Sequence, residues 1–106
     1  MASGFIKARA RLSAGVNTAL YTVPAATGAA ININVANHGP DAATVKIAIT
    51  DGSAPADGDW IETGHSVSLA NPLLRTNEPM AAGEVIYVQA STDTVDVRVS
   101  GYEEDV

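Results

Sequence analysis

Residues Ala30 to Gly52 read AININVANHGPDAATVKIAITDG. Side chains alternate between the two faces of a β-strand, so a period of two in hydrophobicity marks a half-buried strand. Ile31, Ile33 and Val35 point one way, and Asn32, Asn34 and Ala36 the other. After a turn cluster, Asn37-His38-Gly39-Pro40-Asp41, the period resumes with Val45, Ile47 and Ile49. Two strands joined by about six residues form either a β-hairpin or a connection between two sheets. The outward row holds Asn where Lys or Glu is usual. A neutral row can be buried against another subunit without the cost of desolvating charge. It can equally be an exposed face that Asn keeps soluble.

The same period extends in both directions. FIKARARL (5–12) sets Lys7, Arg9 and Arg11 against Ile6, Ala8, Ala10 and Leu12. That is a strand or extended arm with one basic and one apolar edge. Its cations suit the solvated face of an edge strand, where they discourage stray pairing, or a contact with an acidic partner. TALYTVP is a short strand that Pro24 ends, since proline cannot donate to a ladder. After the loop DGSAPADGD come short strands at WIE and at HSVSL. ANPLLRTNEPMAAGE, interrupted by two prolines, holds one short strand at Leu73 to Arg75. EVIYVQA and VDVRVSGY are clear strands, with STDT between them as a hairpin turn.

Eight or nine short strands with turn signals about every ten residues, and no helical stripe, specify an antiparallel two-sheet sandwich of Ig-like or jelly-roll type. The expected organisation is an N-terminal basic strand or arm over 1–17 and a single sandwich over 18–106 with a short acidic tail. The chain has 106 residues, 46% of them hydrophobic, but only one Trp, one Phe and three Tyr. Small side chains make a thin core, and thin cores are often supplemented by oligomer contacts.

The net charge of −6 argues against nucleic acid as a partner. No apolar run approaches the ~18 residues of a membrane span, and the N-terminus lacks the apolar core of a secretory signal. The absence of Cys removes disulfides, thiolate catalysis and Cys-based zinc sites. His38 and His65 lack metal-pair spacing, and no GxSxG elbow supports a nucleophile. Asp51, Asp57, Asp59 and Glu62 could offer oxygen ligands to calcium, but Asp-Gly at 51–52 and 57–58 is ordinary turn chemistry. No enzyme, metal or cofactor is expected. Trp60 reads as a core plug or part of a subunit interface, with sugar stacking the alternative.

Three pieces stand together in order: LYTVPAATGAAININVANHGPDAATVKIAITDG, IETGHSVSLANPLLRTNEPMAAGEVIYVQAS and VDVRVSGYEE. The order resembles small structural proteins of tailed bacteriophages. In those a YTVPA strand (here Tyr21 to Ala25), an N-V-x-N strand (Asn34 to Asn37), a V-x-I-A-I strand (Val45 to Ile49) and a V-x-V-x-G-x-E strand (Val97 to Glu103) follow one another. The resemblance spans roughly residues 18–104; FIKARARLSAG falls outside it. It implies a virion protein assembled in the host bacterial cytoplasm. The first expectation is a capsid decoration (cement) protein, trimers favoured, that binds the major capsid protein. A tail, neck or baseplate component is the alternative, and a carbohydrate-binding module the second alternative. The residues expected at an interface are Lys7, Arg9, Arg11, Asn32, Asn34 and Trp60.

Overall fold

The computed structural model describes residues 4–105, which form eight strands and no helix. They are β1 (Gly4–Arg11), β2 (Thr18–Thr22), β3 (Thr27–Asn37), β4 (Ala43–Thr50), β5 (Trp60–Val67), β6 (Leu73–Met80), β7 (Val85–Ala90) and β8 (Val95–Asp105). One sheet has the order β1-β8-β3-β6 and the other β2-β7-β4-β5, with every pairing antiparallel. The expected two-sheet sandwich is therefore present.

The strand order decides between the two sandwich types. β1 pairs with β8, β2 with β7, β3 with β6 and β4 with β5. The chain is thus one long hairpin, folded at β4–β5 and rolled up, which is the jelly-roll arrangement. Every connection but β4–β5 passes from one sheet to the other. The Asn37–Asp41 turn is accordingly a sheet-to-sheet connection. So is STDT, which sequence alone reads as a hairpin turn. Val85–Ala90 and Val95–Asp105 follow one another closely but lie in different sheets, β7 between β2 and β4 and β8 between β1 and β3.

The core is built from alternate residues of both sheets. Ile31, Ile33 and Val35 of β3, Val45 and Ile47 of β4, Ile86 and Val88 of β7, and Val95, Val97 and Val99 of β8 are all buried. Burying each such side chain is worth about 1.5–3 kcal/mol, an upper range for the smaller valines. The molecule is 18 Å across its thinnest axis, as expected for two sheets about 10 Å apart.

Two strands are longer than their sequence suggests. WIE and HSVSL are not separate; β5 runs through Gly64, and two register shifts against β4 absorb the irregularity. The single strand expected at Leu73 to Arg75 continues to Met80 through Pro79. β6 is an edge strand, and an edge tolerates proline because one side of its backbone has no ladder to serve.

The open sides of the roll are tied by polar side chains. On one side the Tyr21 hydroxyl of β2 donates to the Glu103 carboxylate of β8. On the other, Arg75 of β6 bonds Glu62 of β5 at 2.5 Å and Glu78 at 2.6 Å.

Candidate functional site

The alternation that builds the core also composes the outer face of the β1-β8-β3-β6 sheet. Register sets its rows. Phe5, Tyr102, Ala30 and Pro79 form one, and Lys7, Ser100 and Asn32 the next. Arg9, Arg98, Asn34 and Leu74 form the third, and Arg11, Asp96 and Ala36 the last. The face grades from apolar at one end to cationic at the other. Phe5 is 82% exposed and meets Tyr102 edge-on at 5.7 Å between ring centres. Leu74 and Tyr102 are also exposed.

Four of the six basic residues of the chain, Lys7, Arg9, Arg11 and Arg98, stand on this face. Arg11 is neutralised: its guanidinium forks onto Asp96, with Nη2 to Oδ2 at 3.0 Å. Hydrogen bonding to Arg11 holds the Asp96 carboxyl below the usual carboxylate range, although both groups are largely solvated. Lys7, Arg9 and Arg98 have no carboxylate partner among the described residues. Arg9 and Arg98 sit directly opposite each other in the ladder. Like charges so placed repel. Beside them lies a shallow trough of about 560 Å³ lined by Arg9, Arg11, Asn34, Ala36, Asp96 and Arg98.

The structure thus brings Lys7, Arg9, Arg11 and Asn34 onto one face and adds Arg98, Phe5 and Tyr102, which are not among the residues expected at an interface. Arg98 was legible as an outward position of VDVRVS. Its juxtaposition with Arg9, 89 positions away in the chain, needed the β1–β8 register. Asn32 has a local use: its Oδ1 accepts the Asn77 N–H at 3.0 Å. That bond lies where the β3–β6 register shifts and Asn77 adopts φ 58°, a conformation Asn tolerates. Asn34 is exposed.

Trp60 is not a core plug. It begins β5 half-buried on the opposite sheet, with the Lys46 ammonium 5.5 Å from its ring centre. Register places Ala48 between Trp60 and Tyr87 on that outer face, where Ala48 is fully covered. Trp60 therefore shields a shallow spot on the far side of the molecule from the basic face.

The acidic loop makes turns. Asp51 accepts the Ser53 N–H at 3.2 Å and Asp59 the Ala56 N–H at 2.9 Å, while Glu62 turns to Arg75. Among the described residues no group of three or more His, Asp or Glu is placed to hold a metal ion. His38 donates its backbone N–H to the Thr94 carbonyl, and His65 Nδ1 stands 4.0 Å from Glu62. No family model, curated protein or solved structure matches the chain.

Proposed function

We propose that this protein is a structural component of a tailed-bacteriophage virion, in the first instance a capsid decoration protein. The carrying observation is the basic outer face: Lys7, Arg9 and Arg98 stand together with no carboxylate partner among the described residues, on a chain of net charge −6. Edge cations discourage stray pairing, but Arg9 directly opposite Arg98 carries a repulsive cost besides. An acidic surface on the major capsid protein offsets that cost, because a partner carboxylate relieves the repulsion. Phe5, Tyr102 and Leu74 add exposed apolar area at the margins of the same face.

The mechanism is mechanical. Subunits, as trimers, bridge neighbouring capsid subunits, so that internal pressure must break additional contacts. The cations steer encounter and set salt sensitivity more than final affinity. The jelly roll itself hosts viral coat, lectin and other functions, so the fold lends only an analogy. The sequence resemblance and the basic face support the reading together.

The test is copy number, by quantitative mass spectrometry of purified virions against the major capsid protein. Parity with the capsid subunit, or a simple fraction of it, is the expected result. A ratio of about a hundredth would move the protein to the tail or neck. Absence from virions would overturn the reading, and a glycan screen with Trp60→Ala as control would follow.

A further inference from the structure

A jelly roll that is not closed has four edge strands, and three of these are blunted by their backbone geometry. β6 carries Pro79, a register shift beside Asn77, and an inward-pointing cation, Arg75. β5 has two register shifts and Gly64 at φ 129°. β2 has only five residues and a shift of its own. Such devices stop an edge from templating another strand. β1 lacks the backbone devices and carries only edge cations, Lys7, Arg9 and Arg11, a guard that an acidic strand cancels. The eight residues of β1 pair one-for-one with β8, from Gly4 opposite Glu103 to Arg11 opposite Asp96, with no shift and no proline.

Ladder parity fixes which backbone groups β1 leaves free. The Leu12 N–H bonds the Val95 carbonyl at 3.0 Å. In an antiparallel ladder, alternate residues direct both N–H and C=O to the same side. Ala10 and Ala8 therefore face β8, and Lys7, Arg9 and Arg11 turn their N–H and C=O groups to the open edge. Their side chains stand on the outer, cationic face, while Ala8 and Ala10 lie on the inner, half-buried one.

The geometry points to β1 from Lys7 to Arg11 as an acceptor for one further strand, supplied by a partner protein. The partner segment is extended and alternates acidic with small apolar residues. Its acidic side chains fall beside Lys7 and Arg9, giving Arg9 a carboxylate on the side away from Arg98. Its apolar ones continue the inner row of Ala8 and Ala10. Charge complementarity selects this occupant over a second copy of the chain, since β1 against β1 would set Lys and Arg opposite Lys and Arg. Backbone hydrogen bonds supply affinity in this mode, and the alternating side chains supply selectivity. The inference does not depend on the virion reading and can fail or hold apart from it.

The experiment uses the intact protein and a synthetic peptide of about seven residues that alternates glutamate and valine, with a lysine–valine peptide as control. Saturable binding of the acidic peptide, followed by NMR, is expected to slow amide exchange at Lys7, Arg9 and Arg11. The lysine–valine peptide is expected not to bind. Lys7→Pro removes one edge donor without touching the β8 ladder, whereas Lys7→Ser removes the charge alone. Proline is expected to weaken binding roughly tenfold beyond serine, about the worth of one backbone hydrogen bond. Equal effects of the two substitutions, or protection at another edge, would overturn the proposal. So would absence of binding, or dimerisation through β1 without peptide. Should Lys7→Pro fail to fold, the exchange map of the unsubstituted protein decides alone.

Discussion

Thr94 Oγ1 donates a 2.8 Å hydrogen bond to Oδ1 of Asn37, joining the β7–β8 connection to the end of β3. The same carboxamide fills its remaining capacity with three backbone groups. Oδ1 also accepts the Gly39 N–H at 2.9 Å, and Nδ2 donates to the carbonyls of Asp41 at 2.8 Å and Val67 at 3.0 Å. Asn37 is buried, and its bonds with Gly39 and Val67 are made away from water, while those with Asp41 and Thr94 lie at the margin. Three crossing segments meet at this one side chain, and Gly39 packs so closely on Thr94 that a Cβ there would stand 2.7 Å from Oγ1.

Asn37→Ala should therefore destabilise the fold well beyond an ordinary polar deletion. It leaves the buried Gly39 N–H and Val67 carbonyl unsatisfied, at about 1–3 kcal/mol each before water enters. A net loss of about 3 kcal/mol, or a fall in Tm of roughly 10–20 °C, is expected in thermal unfolding. A loss below about 1 kcal/mol would show that water replaces the carboxamide readily.

Gly101 stands in the inner row of its sheet between Ile6 and Ile31, at φ 149°. A Cβ built there would lie 2.2 Å from the Ala30 carbonyl oxygen. That neighbour is backbone in the middle of β3, which cannot rotate away. Gly101→Ala should cost about 2–4 kcal/mol or prevent folding, by strain and overpacking. Urea denaturation reads it directly; a loss under about 1 kcal/mol would mean that β8 slides at little cost.

Tyr21 gives a prediction at alkaline pH. Burial first, and then its hydrogen bond to Glu103, raise the pKa of the phenol above its ordinary value near 10. A group whose folded pKa is raised contributes stability that is complete below the unfolded pKa and declines above it. Stability should thus be flat with respect to Tyr21 at neutral pH and fall as pH rises beyond about 10. Tyr21→Phe should lower stability at neutral pH by roughly 1–2 kcal/mol and flatten that alkaline decline. Identical pH dependence in both proteins would exclude Tyr21 as its source.

Arg9→Thr should raise stability slightly, because it relieves the repulsion from Arg98 and keeps a good strand former on β1. A gain of a few tenths of a kcal/mol in low salt, shrinking in high salt, is expected from paired melting curves. If the proposed decoration role holds, the same substitution should slow association with capsids. Destabilisation in low salt would indicate that the arginine stem packs on the face and matters more than its charge.

The alternating apolar positions Ile31-Ile33-Val35, Val45-Ile47-Ile49 and Val95-Val97-Val99 determined the all-β sandwich and most of its core, because strand periodicity is local. Turn chemistry around Asn37 and Asp51 was equally local. The jelly-roll order was not, since STDT or Asn37–Asp41 can close a hairpin or cross between sheets with the same residues. That choice depends on which distant strand completes each apolar face. The bonds of Asn37 with Val67 and Thr94, the place of Trp60 under Lys46, the opposition of Arg9 and Arg98, and the unshifted edge at β1 are all consequences of register. Sequence by itself specified which side chains each strand presents to each face. Only the tertiary structure decided which strands lie side by side, because that is settled by long-range burial and pairing.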